Sequence, residues 1–196
     1  VNPVQLVPAA VALVLAAVFA SRPVIQWNLQ GAVFMRVVVR LIDKGELERA
    51  ARLCEAAPGA LLARAVLPVL ACALTQPAAP LTALAAVTRT ALEQGEAQLR
   101  SWTWVGAGAG LSLGVAVLAS AATFDPTQPA ALIVCGTALL LLLAGGRRVW
   151  LLHSDLQTMP VSLLQPLVKA LSGREPEPAE IVQAVLAAPA GARIPG

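Results

Sequence analysis

Charge is what this chain has least of, and the shortage is concentrated. Between Arg100 and Arg147 there is no lysine, arginine or glutamate, and Asp125 is the only formal charge. Charged residues make up 13% of the 196, against roughly 25% in ordinary soluble domains. That composition, with a mean hydropathy of +0.74, excludes a soluble globular domain of the usual kind. Histidine is almost absent too, His153 being the only one. The three cysteines, Cys54, Cys72 and Cys135, show no C-x-x-C spacing. A zinc site therefore lacks local ligand pairs and a disulfide scaffold lacks density, so reduced, buried thiols are expected. No nucleophile–base pair or metal-ligand cluster is visible, which argues against an enzyme and implies no cofactor and no metal. The net charge of +3 and pI near 9.1 do not indicate nucleic acid, because the basic residues sit where membrane topology would place them.

Long apolar runs are what the chain has instead. Thr103–Ala122 and Ala130–Gly146 are joined by the short polar segment Thr123–Pro129. About 20 uncharged residues at about 1.5 Å rise match the roughly 30 Å hydrocarbon core of a bilayer, so the pair reads as a transmembrane helical hairpin. Val4–Ala20 is a third run, interrupted by Gln5 and Pro8. Its rival reading is a secretory signal peptide, with Val18-Phe19-Ala20 as a small-residue cleavage site. No positive charge precedes it, so an uncleaved first transmembrane helix is expected. The fold class that follows is all-α: an integral membrane protein with three transmembrane helices. Its divisions are a first span (1–22), a cytoplasmic helical segment (23–101), the hairpin (102–150) and a cytoplasmic tail (151–196).

Topology follows from the basic residues. All 14 lie in 22–100 or from 147 onward, so the positive-inside rule predicts N-out and C-in. The four tryptophans, Trp27, Trp102, Trp104 and Trp150, fall near the predicted inner ends of the spans. Together with Arg147 and Arg148 they read as interface anchors, an indole being apolar in body with one polar N–H. His153, one turn past Trp150, reads as a surface group.

The middle segment is helical in pattern. Leu29, Val33, Phe34, Val37, Val38, Leu41 and Ile42 recur at helical spacing, and Lys44-Gly45 closes that helix. A short helix over Glu46–Ala57 stops at Pro58-Gly59. A third over Ala60–Thr75 contains Pro68, and Gln76–Pro80 is a break. From Leu81 the periodicity resumes, with no breaker before the second span, so one long helix of about 40 residues is predicted. The third span is predicted to continue to about Thr158 and stop before Pro160. Val161–Leu171 is then a short amphipathic segment broken by Pro166, followed by a linker at Glu175–Pro178 and a last helix over Ala179–Ala188.

Phe34 to Leu67 reads FMRVVVRLIDKGELERAARLCEAAPGALLARAVL. A basic helix, the turn Gly45-Glu46-Leu47, Ala50-Ala51, the pair Leu53-Cys54 and the break Pro58-Gly59 follow one another. With three spans and a helical insertion after the first, the chain resembles the MotA/TolQ/ExbB proton-channel family. The resemblance implies a subunit of an envelope energy-transducing complex in the bacterial inner membrane. It also implies a homo-oligomer, pentameric if family-like, around a single-span TolR/ExbD/MotB-like partner. The hairpin departs from that pattern. Gly110-Leu111-Ser112-Leu113-Gly114-Val115 stands where the family has Gly-Leu-Leu-Gly-Thr-Val. Thr137-Ala138 fits the third-span Thr-Ala, which places the family's glutamate at Leu132. No carboxylate remains in that span, and the alternative is a diverged, non-conducting structural or accessory subunit of the same architecture.

The polar groups left in the spans are few. Ser112, Ser120 and Thr137 can line a pore or hydrogen-bond within a helical bundle; both readings stand. Thr123 and Asp125 lie at the predicted outer mouth, where Asp125-Pro126 suits a turn or cap. Gly106, Gly110 and Gly114 recur every four residues as two overlapping G-x-x-x-G units, a helix-packing face.

Overall fold

The computed structural model describes residues 3–25, 31–122 and 129–189. Among these the chain is wholly helical: α1 (Pro3–Ile25), α2 (Gly31–Asp43), α3 (Leu47–Glu55), α4 (Leu61–Thr75), α5 (Leu81–Ala122), α6 (Pro129–Ser172) and α7 (Pro178–Ala187). Two of them, α5 and α6, are long and apolar enough to cross a membrane. The chain divides into two compact units. One takes residues 1–28 and 98–151, the other 29–97 and 152–196. Each of the two long helices thus contributes to both.

The second unit is built as soluble helical domains are. On α2 the buried residues are Gly31, Phe34, Met35, Val38 and Ile42, an i, i+3, i+4, i+7 stripe that sets one face into the core. Its end is chemically defined. Gly45 takes φ +75°, the Gly45 N–H donates to the Ile42 carbonyl and the Glu46 N–H to the Leu41 carbonyl, both at 2.9 Å. This is the Schellman arrangement, in which glycine adopts the left-handed conformation without a Cβ clash. On α4, Leu62, Val66, Val69 and Leu70 are buried, as are Cys54 of α3 and Leu84 of α5. Gly95 lets α5 approach α6 closely, since a Cβ there would lie 3.3 Å from Leu156. The buried Thr88 and Thr90 donate to the carbonyls of Leu84 and Ala86 in their own helix, so neither hydroxyl is left unsatisfied.

Pro160 and Pro166 do not end α6, contrary to the sequence expectation; the helix runs through both to Ser172. Each proline removes a helical hydrogen bond at about 3 kcal/mol. Leu156, Met159, Leu163, Leu164 and Leu167 are all fully buried, at about 1.5–3 kcal/mol each, and they share one helical face. Their burial requires the helix to continue, and it outweighs the two lost bonds. The helix ends one residue on, at Gly173 with φ +70°.

The last helix buries Ile181 and Val185, pairs Glu180 with Arg174 at 3.0 Å, and is tied at its C-terminal end by one further side chain. Arg89 on α5 donates to the carbonyls of Leu186 (2.6 Å) and Ala188 (2.5 Å) and pairs with Glu93 at 3.0 Å. It supplies a positive group and donors where the end of α7 has free carbonyls. Nearby, Lys169 and Glu175 form a 2.8 Å ion pair. Their mutual hydrogen bond raises the lysine's pKa and lowers the carboxyl's.

Two outcomes follow from this unit. Arg89→Met removes charge-assisted bonds, for which about 1.5 kcal/mol is expected because the side chain is partly exposed. Amide exchange over residues 178–188 should then accelerate roughly tenfold, with the rest of the unit unchanged. The Cys54 thiol is pushed up to about 12, first by burial and then by the neighbouring Glu55 charge. A folded pKa above the ordinary 9.0 favours the protonated thiol in the fold. That contribution is complete below pH 9 and disappears as pH rises toward 12. Urea midpoints in detergent should fall over that window, and Cys54→Ala should flatten the fall relative to the wild type.

Candidate functional site

The first unit brings α1, the later part of α5 and the earlier part of α6 together through small residues. Its core is Ala12, Ala16, Ala109, Leu113 and Ala138, with Leu13, Leu15, Cys135, Leu141 and Leu142 packed against it. On α1 the buried positions are Ala9, Ala12, Ala16, Phe19 and Ala20, spaced three and four apart. Small side chains let helix backbones approach, so dispersion contacts form along the whole length.

Phe19 is the one large ring among these contacts. A Cβ on Gly106 of α5 would stand 2.7 Å from its Cε2, and one on Gly145 of α6 would stand 2.7 Å from its Cδ1 and Cε1. The two glycines therefore face opposite edges of the same ring, and the ring fills the space left by two absent methyl groups. The backbone is held at the same residue. Pro23 has no N–H, so the Phe19 carbonyl lacks its usual i+4 helical donor. The Trp102 indole N–H supplies that bond at 3.1 Å, which also satisfies the indole. Sequence reasoning missed Phe19 and Gly145. A proline four residues after an aromatic in an apolar run was the available signal.

The outward surface of this unit is apolar and bulky. Leu111 is 75% exposed, Leu118 72%, Leu140 68% and Val14 61%. The buried positions are mostly alanine and the most exposed are leucine and valine, whereas the second unit buries large aliphatic side chains.

The glycine repeat is only partly a packing face in the single chain. Gly106 meets Phe19, whereas nothing lies within 4 Å of a Cβ on Gly110 or Gly114. The reason is geometric. Positions four apart drift about 40° per step around a 3.6-residue helix, while the α5 contact positions Gly106, Ala109, Leu113 and Ala116 alternate three and four. The repeat thus leaves the inner face after one turn.

The hydroxyls close on their own helices. Ser112 Oγ donates to the Gly108 carbonyl at 2.9 Å, and the exposed Thr137 donates to the Ile133 carbonyl at 2.8 Å. The two are not brought into one polar cluster. Ser120 lies in α5, its side chain outside the described set; Thr123, Asp125 and Trp27 lie outside the described residues. Trp104 and Trp150 are exposed at 74% and 68%, whereas Trp102 is half-buried and donates to the Phe19 carbonyl. Arg147 is exposed and Arg148 half-buried. His153 is exposed beside Gln157, with 2.9 Å between their nitrogens.

Nothing in the described residues groups three or more His, Cys, Asp or Glu as a metal site would. The cysteines are free. Asp155 is a half-buried carboxylate outside the surface ion pairs. It packs over Gly31 at the start of α2, where a Cβ would collide with both its carboxylate and Leu62. Burial raises its pKa above the ordinary value. It lies past Arg147-Arg148, beyond the charge-free part of α6.

No protein-family model matches this chain, and no curated protein or solved structure is significantly similar to it.

The packing separates the glycines by consequence. Gly106→Ala and Gly145→Ala should each lower the detergent-solubilised unfolding midpoint, at about 1–3 kcal/mol for overpacking. Gly110→Ala and Gly114→Ala meet no neighbour and should leave the isolated chain as stable as wild type or more stable by up to about 1 kcal/mol. Thermal unfolding followed by helical circular dichroism, on a monomeric preparation, distinguishes the two pairs.

Proposed function

We propose that this chain is a non-conducting structural subunit of a membrane complex, embedded by α1 and the apolar parts of α5 and α6. The reading includes three spans, a bacterial inner-membrane location and an N-out, C-in orientation. One observation carries it: the apolar unit is built inside out and holds no ionisable carboxylate, lysine or histidine along 101–122 or 129–146. A surface of large aliphatic side chains is stable against lipid and costly against water. A charge-free interior, with Ser112 and Thr137 bonded to their own helices, offers no group to take up or hand on a proton near neutral pH. The packing of α1 against both long helices, with Val7, Val11, Val14 and Val18 exposed, supports its counting as a third span. Gly110 and Gly114, open in the single chain, suit close approach of another helix.

A second reading is the energy-transducing subunit implied by the resemblance to the MotA/TolQ/ExbB family. The layout favours it: an apolar helix, the helical insertion α2–α4, then two long helices that continue without a break into the polar unit. In that reading the titratable group belongs to a single-span partner, and five copies surround it.

Proteoliposomes holding the complex should keep an imposed pH gradient as long as protein-free vesicles, and the Ser112→Ala/Thr137→Val pair should change nothing. A proton leak abolished by that pair would overturn the structural reading. The mass of the intact complex gives a separate check, since five copies with small single-span subunits supports transduction.

A further inference from the structure

We propose that the outer face of α2 lies on the headgroup layer of an anionic bilayer. The helix has two opposed stripes. One, with Phe34, Met35, Val38 and Ile42, is buried in the second unit. The other presents Val33, Arg36, Val37 and Arg40 to the outside, with Lys44 continuing the stripe in the closing turn. Val33 and Val37 are 48% and 41% exposed, so the cations flank two apolar side chains on one line.

The cations of this stripe differ from five others in the unit. Arg49, Arg52, Arg89, Lys169 and Arg174 each pair with a glutamate. Arg36, Arg40 and Lys44 form no ion pair among the described residues, although Asp43 is adjacent in sequence. A stripe of unpaired cations interleaved with valines complements a surface that is anionic on the outside and apolar just beneath.

Chain length puts that surface in reach. Gly31 follows Ile25, the last residue of α1, by six positions, and a fully extended chain covers at most about 3.5 Å per residue. The connecting chain can therefore span at most about 21 Å. An acidic protein partner would need no such tether, whereas a lipid surface is supplied by the span itself. The inference rests on the membrane reading above.

The test places a photoreactive diazirine side chain at Val37, at Leu111 in the apolar unit, or at Val182 on α7. Each full-length protein is reconstituted in nanodiscs of phosphatidylcholine with phosphatidylglycerol and irradiated, and lipid adducts are counted by intact mass. Position 37 should give lipid adducts well above position 182. The yield should drop about fivefold for each of Arg36→Gln, Arg40→Gln and Lys44→Gln, and likewise in pure phosphatidylcholine. Adducts at 111 with none at 37 overturn this proposal and leave the membrane reading standing. Crosslinks from 37 to a second copy of the chain overturn it in favour of a protein interface. If 111 also lacks lipid adducts, the membrane reading falls and this one with it.

Discussion

A phenyl ring wedged between two glycines is the contact on which the apolar unit depends. In a bundle embedded in lipid, as proposed for this unit, the hydrophobic effect contributes little to helix association, because the outside is as apolar as the inside. What remains is fit and a few hydrogen bonds. Phe19 supplies both, its ring against Gly106 and Gly145 and its carbonyl to Trp102. The proline that frees that carbonyl turns a local defect in α1 into a bond between helices. One residue thereby fixes α1 to α5 through the backbone and to α6 through the ring.

The two units apply opposite rules with the same helices. Along α6, Ala138 and Gly145 face inward while Leu140 points out; further on, Leu156, Met159, Leu163 and Leu167 face inward. The change occurs near Arg147-Arg148, where the charge-free stretch ends. Side-chain size inside tracks the driving force. Where water surrounds the unit, large apolar groups gain most by burial. Where the surroundings are apolar, close backbone approach gains more. This polarity reversal occurs within single unbroken helices, and it is the feature on which the proposed embedded role rests.

The proposed structural role also accounts for what the hairpin lacks. An intramembrane carboxylate is retained only at a cost and serves ion handling; residues 129–146 contain none. Ser112 and Thr137 bond to the preceding turn of their own helices, which satisfies those two hydroxyls without a water file. The open part of the glycine repeat, Gly110 and Gly114, meets no neighbour within the single chain, which is what the proposed role between chains would require.

Sequence alone determined the helical class, the charge-free stretches, the unbroken run of α5 and the end of α2 at Gly45. Each of these is a local property: periodicity, absence of charge, absence of a breaker, a residue tolerant of positive φ. Proline was misjudged in α6 for the same reason. Its cost is local and visible in the sequence, whereas the burial that overrides it at Pro160 and Pro166 depends on which residues surround that face. The glycine repeat was visible as a pattern, but only tertiary packing decided that Gly106 receives a ring and Gly110 and Gly114 receive nothing. Phe19, Gly145 and Trp102 are far apart in the chain, and no local rule joins them. Their meeting is decided by how closely three helices approach, a quantity that sequence spacing does not contain.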